Sequence, residues 1–135
     1  MAGEKKLSVL LKSMKPLLQK EEYVFCFYAI EKDYDYLELK PICIFYEEEG
    51  LTLILQKDKA DAKNIPYESV FRMITLSVHS SLEAVGFLAA ITSALAAKGM
   101  SVNPISAYHH DHLFIPSSRA NECMEILERI SNESA

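Results

Sequence analysis

From Val70 onward the chain alternates short β-rich runs with helical stripes in the order β-α-β-β-α, and few folds accept that order. Val70–His79 (VFRMITLSVH) predicts a strand. The following segment, SSLEAVGFLAAITSALAAKG, predicts a helix over Leu82–Ala97. A Ser80-x-x-Glu83 capping box opens it and Gly99 supplies a left-handed C-terminal cap. Ser101–Tyr108 and His112–Ile115 predict two strands around an HHD turn. Pro116-Ser117-Ser118 then starts a last helix with Ala120, Cys123, Met124, Leu127 and Ile130 on one face. The result is a ferredoxin-like βαββαβ unit short of its final strand.

The first half supplies candidates for that strand. Leu7, Leu10, Leu11, Met14, Leu17 and Leu18 form an apolar stripe at helical spacing, interrupted by Pro16. The reading is a helix over Lys5–Lys15 with a short helical continuation from Pro16. Tyr23–Ile30 (YVFCFYAI) predicts a buried strand and Glu31–Glu38 a polar excursion. Pro41–Tyr46 and Leu51–Leu55 predict a hairpin that turns through EEEG at Gly50. The polar stretch from Asp58 to Ser69, which includes Pro66, divides the chain into halves over residues 1–65 and 66–135. Which first-half strand completes the second sheet is left open by the sequence.

Charge narrows the choice of partners. Lysine and arginine total 14 against 19 aspartates and glutamates, a formal net charge of −5. Phosphate attraction needs clustered positive charge, so neither a nucleic acid nor an anionic membrane is an expected partner. Charged residues interrupt Met1 to Lys15, so no secretory leader is expected. The apolar Leu82–Ala97 stretch is shorter than the roughly 20 residues a membrane-spanning helix needs. Cys26, Cys43 and Cys123 form no C-x-x-C pair and sit in apolar segments, as small buried hydrophobes in a reducing, cytoplasmic setting do. Hydrophobic residues make up 50% of the chain, enough for a core without disulfides. Both the Leu82–Ala97 helix and the YVFCFYAI strand are apolar on more than one side. Either the two halves cover each other as one tightly packed unit or a second copy does; a homodimer is expected.

The stretch Ile74–Val102 resembles the core of an ACT domain, the small βαββαβ ligand-binding module of metabolic regulators. Gly86 followed by Leu88 matches the family's Pro-Gly-x-Leu step, with Val85 in place of the proline and Ser80-Ser81 in place of the usual acidic loop residue. The resemblance extends over nearly the whole chain to small stand-alone bacterial-type proteins made of two ACT-like halves. It rests on YVFC at Tyr23–Cys26, PICIFYEEEGLTLIL at Pro41–Leu55, ITLSVHSSLEAVG at Ile74–Gly86 and YHHDHLFI at Tyr108–Ile115. It implies an α+β fold of tandem ferredoxin-like ACT units, with a mainly antiparallel sheet and helices packed on it. It also implies a non-catalytic regulatory module that binds an amino acid near the strand–helix loop.

The strand directions of such a unit bring the residues that carry chemistry to one edge. The first strand ends at His79, the second, parallel to it, ends at Tyr108, and the third begins at His112 on the way back. The expected ligand site therefore comprises His79, Ser80, Ser81, Leu82, Val85, Gly86, Tyr108, His110, Asp111 and His112. In it the helix N-terminus holds a carboxylate and Tyr108, His110 and Asp111 orient the remainder. Two other chemistries use the same residues. His79, His110 and His112 have ligand types suited to a metal, and His110 and His112 share a strand face. Ser80 or Ser81 with a histidine and Asp111 has the types of a nucleophile triad, but no G-x-S-x-G or phosphate-binding glycine loop is present. No metal, cofactor or catalysis is expected; a pure protein-interaction module is the remaining alternative.

Overall fold

Pro16 sets the first boundary, because a proline forces the preceding residue into extended backbone and offers no amide to a helix. The computed structural model describes residues 3, 5–29 and 36–133. In chain order the elements are α1 (Leu7–Ser13), β1 (Pro16–Tyr28), a 3-10 turn (Tyr36–Leu39), β2 (Cys43–Tyr46), β3 (Leu51–Gln56) and α2 (Lys57–Ala62). Then come β4 (Phe71–Leu76), α3 (Phe87–Ala97), β5 (Asn103–Ser106), β6 (Asp111–Pro116), a 3-10 turn (Ser117–Arg119) and α4 (Ala120–Glu133). The chain divides into two compact units: residues 21–71 form one, and the described residues up to 20 together with 72–133 form the other.

In the larger unit the strand order is β1-β4-β6-β5, with β1 represented by its first residues. This is the strand the second-half pattern lacked: the unit is a βαββαβ arrangement whose last strand is supplied from upstream. The expected helical continuation from Pro16 is corrected accordingly. Leu17 and Leu18 belong to β1, where successive side chains point to opposite faces; Leu17 is exposed and Leu18 packs on the core. Arg72 fastens this segment by donating from Nε and Nη2 to the Gln19 carbonyl, at 2.9 and 2.6 Å. The core joins Leu10 and Met14 of α1, Ile74 and Leu76 of β4, Ile91 and Leu95 of α3, Leu113 and Ile115 of β6, and Cys123 and Leu127 of α4. Burial pushes the Cys123 thiol up to about 12, so it serves as a packing group.

The second correction concerns α3. It begins at Phe87, several residues beyond the Ser80–Glu83 capping box, with Gly86 as its N-cap at φ +90°. A left-handed N-cap is accessible to glycine without the clash a Cβ would bring. Ser80 lies too far ahead of Phe87 to cap the helix, and its hydroxyl instead donates to Asp111, across the sheet. The segment between instead makes a local turn, with Ala84 N–H to Ser81 O at 3.0 Å and Glu83 N–H to Ser81 Oγ at 3.1 Å. The C-terminal expectation is met: Gly99 lies at φ +67°, and Arg119 donates to the Gly99 and Lys98 carbonyls at 2.8 and 2.9 Å.

The smaller unit is an antiparallel β2-β3-β1 sheet in which Val24 faces Leu55, Cys26 faces Leu53 and Tyr28 faces Leu51. Those residues, with Leu39, Ala60 and Ile65, form its core. The hairpin turns at Gly50 as expected, with Glu47 N–H donating to the Gly50 carbonyl. Helix α2 was not anticipated; only Ala60 of its residues is buried, so it has no apolar stripe to read. The strand expected over Tyr23–Ile30 ends at Tyr28. Ile30 and Glu31 to Asp35 of the polar excursion lie outside the described residues. Among the described residues no helix is long and apolar enough to cross a membrane.

Candidate functional site

The β5–β6 hairpin places the chemistry. Ser106 and Asp111 are register partners at its mouth, and Ala107 N–H donates to the His110 carbonyl at 3.0 Å to close the turn. Register partners share a face, so Ser106 Oγ reaches Asp111 Oδ1 at 2.6 Å. The loop leaving β4 brings Ser80 to the other oxygen, with Ser80 Oγ to Asp111 Oδ2 at 2.9 Å. Asp111 is 5% exposed and Ser80 6%. Among the described residues no lysine, arginine or histidine forms an ion pair with Asp111. Two hydroxyl donors satisfy two of the roughly four acceptor positions of a carboxylate, leaving capacity for a cationic group.

That carboxylate lines a cavity of about 120 Å³ at the start of α3. Ser80, Ser81, Leu82 and Gly86 line it from the loop, Phe87, Leu88 and Ala89 from the first turn of α3, and Ser106 from β5. The first amides of a helix have no intrahelical acceptor, and no side chain caps this one at Gly86. The cavity lining therefore combines a carboxylate with a positive helix terminus.

The remaining expected residues fall outside this lining. His79, Tyr108 and His109 form a ring cluster of their own, with centroids 5.2 Å apart for His79–His109 and 5.0 Å for Tyr108–His109. Tyr108 and Val85 are exposed, and His110 lies 6.3 Å from the His112 ring. Among the described residues no group of three or more His, Cys, Asp or Glu side chains is placed to hold a metal ion, so His79, His110 and His112 are not brought together as ligands. The Ser80 hydroxyl is given to Asp111 directly, and Ser81 Oγ accepts from the Glu83 amide, so among the described residues neither serine is hydrogen-bonded to a histidine. Ser106 and the first turn of α3 were missed. The Ser106-to-Asp111 spacing across a tight hairpin was the available signal for the serine.

His112 faces away from the cavity chemistry, toward the sheet. Its Nδ1 is 3.0 Å from Thr75 Oγ1, which also accepts from Gln19 Nε2 at 3.1 Å. Burial, then the neighbouring His110, hold the His112 imidazole below its ordinary value of 6.5, with Asp111 opposing them. A depressed histidine stays neutral in the fold while the unfolded chain takes up its proton first. Its contribution to stability is therefore present above pH 6.5 and lost as pH falls through the folded-state value. Unfolding midpoints measured from about pH 7.5 to about pH 5 should fall less in His112→Gln than in wild type. Parallel pH profiles would remove His112 from the acid response.

An ACT-domain family model matches residues 2–72 and a second ACT-domain model matches residues 68–129. The chain belongs to the ACT-domain family. Among solved structures, the Vibrio cholerae protein VC0802, described as of unknown function and a possible transport protein, is 42% identical. The match covers 93% of this chain and 95% of that one, with a TM-score of 0.83. Protein Atu0741 from Agrobacterium tumefaciens is 12% identical over 87% of this chain and 89% of its own, with a TM-score of 0.70. The ligand-free regulatory subunit of aspartate kinase from Thermus thermophilus is 12% identical over 88% and 98%, with a TM-score of 0.62. No curated protein matches. The α+β fold of tandem ACT-type, ferredoxin-like units is thus shared with an aspartate kinase regulatory subunit. Membership of the ACT-domain family supports a regulatory, small-molecule-binding role for this chain.

Proposed function

We propose that this ACT-domain protein is a non-catalytic regulator whose small-molecule ligand is an amino acid, held in the cavity at the start of α3. One observation carries the reading: a buried carboxylate, Asp111, lines the cavity without a basic partner among the described residues. A ligand ammonium fits there, and the ligand carboxylate fits the α3 amides of the same lining. Ser80, Ser81, Leu82 and Gly86 complete the contact surface. His79, Val85, His110 and His112 are each next in sequence to a lining residue, and Tyr108 lies in the same hairpin turn, outside the lining. The family-model ranges support reading the chain as two ACT-like halves over residues 1–65 and 66–135.

Free thiols at Cys26, Cys43 and Cys123 support a reducing, cytoplasmic location. Phe27 and Phe45 are exposed and both lie opposite Thr52, on one sheet face, which supports a homodimer. The test is a thermal-shift screen of the full chain against the common amino acids. A ligand at 100 times its Kd adds about 2.7 kcal/mol, a shift of several degrees for a protein of this size. A selective shift is expected. No shift with any of them, at concentrations up to about 10 mM, where a millimolar ligand would register, ends the amino-acid reading.

A further inference from the structure

The loop that walls the cavity is held from outside by the segment leading into α1. An ideal Cβ built on Gly3 would stand 2.6 Å from Ser80 C, 2.7 Å from His79 O and 2.7 Å from Ser81 N. Backbone therefore lies directly on backbone, an approach that any side chain at position 3 would prevent. Two residues on, Lys5 Nζ pairs with Glu83 Oε2 at 3.1 Å. Two further on, the Leu7 side chain lies over Gly86, with Cδ2 at 3.6 Å from the position a Cβ would take there. Positions 3, 5 and 7 thus meet the loop in order at 79–81, 83 and 86. These contacts run from the buried Ser80 to the N-cap of α3.

The loop needs such a hold. Among the described residues its hydrogen bonds are short-range apart from Ser80 to Asp111 and the Lys5 pair, and Leu82, Glu83 and Val85 face solvent. The segment that holds it is tied down at its far end, because Leu10 and Met14 are fully buried in the core.

We infer that Gly3, Lys5 and Leu7 form a strap that fixes the 79–86 loop and so sets the shape of the cavity at the α3 N-terminus. The link to ligand rests on the amino-acid reading above. Given that reading, strap docking and cavity filling stabilise each other, since a coupling between two events acts equally in both directions.

Hydrogen–deuterium exchange on the full chain tests the strap without any ligand. Gly3→Ala drives a Cβ into the loop backbone, and Leu7→Ala removes the cover over Gly86 while keeping a good helix former. Both should speed exchange at amides 80–86, by roughly tenfold in Gly3→Ala, with α4 amides unchanged. Unchanged exchange at 80–86 in both variants overturns the strap. An equal rise throughout α4 also overturns it, because the effect would then be global. A second readout separates the two ideas, using whichever common amino acid shifts the wild-type melting temperature most. A smaller shift in Gly3→Ala supports the coupling, and an equal shift overturns it. If no amino acid shifts wild type while amides 80–86 loosen in Gly3→Ala, the ligand reading fails and the strap's hold on the loop is still supported.

Discussion

Leu10→Ala should lower the unfolding free energy by about 2–5 kcal/mol, the range for truncating a fully buried leucine whose surroundings relax only partly. Leu10 is 0% exposed and shares a core with Ile74, Leu76, Ile91, Leu95 and Leu127. Alanine is a better helix former than leucine, so the loss reads packing rather than propensity. The informative comparison is Leu17→Ala. Leu17 lies on the apolar stripe the sequence suggested but is 54% exposed on β1, so its truncation should fall within about 0.5 kcal/mol of wild type. Urea midpoints at unchanged m measure both. A cost under about 1 kcal/mol for Leu10→Ala would mean that α1 does not belong to the core of the larger unit. Equal costs for the two variants would favour a continuous helix through Pro16.

The contrast between Leu10 and Leu17 also shows where sequence pattern stops being informative. A run of leucines satisfies helical spacing and, from Pro16 on, strand alternation equally well, and propensity cannot choose between them. Pro16 does choose, since it commits Lys15 to extended backbone. The segment that follows then pairs with a strand more than fifty residues away, a long-range partnership that no local pattern encodes. For that reason the missing strand of the βαββαβ unit could be counted but not assigned. The elements from β4 to α4 were legible because their periods are clean and their turns are marked by Gly99 and by the HHD hairpin.

The start of α3 was misread for a related reason. Ser80-x-x-Glu83 has the residues of a capping box, but tertiary context overrides it: the loop is drawn across the sheet, where the Ser80 hydroxyl donates to a buried carboxylate. In this fold that acceptor is Asp111, 31 positions along the chain. The helix then starts where Gly86 can adopt positive φ, and the displaced residues become cavity wall. The grouping of the histidines near the hairpin was foreseeable from strand direction. Their separation from the cavity was not, because it depends on which way the turn residues point once alternation ends at Ser106.

Asp111→Asn should weaken binding of the amino acid that shifts wild type most by about thirtyfold to several thousandfold, the effect of removing one partner from a desolvated charge pair at about 2–5 kcal/mol. The substitution keeps the size of the side chain and one oxygen acceptor. One of the Ser80 and Ser106 hydroxyls keeps donating to the remaining oxygen while the other can rotate to accept from the new amide, so the hairpin has no reason to unfold. What disappears is the negative charge. Isothermal titration of both proteins with the amino acid and with its des-amino analogue isolates that loss. Wild type should prefer the ammonium-bearing compound strongly, and Asp111→Asn should discriminate little between the two. Such a cycle measures the ammonium–carboxylate pair rather than general damage, since damage would weaken both compounds alike. If Asp111→Asn kept the full preference for the ammonium, the ligand's positive end would have to sit elsewhere. The buried carboxylate would then be a hairpin fastener, with its two serine bonds as its whole role.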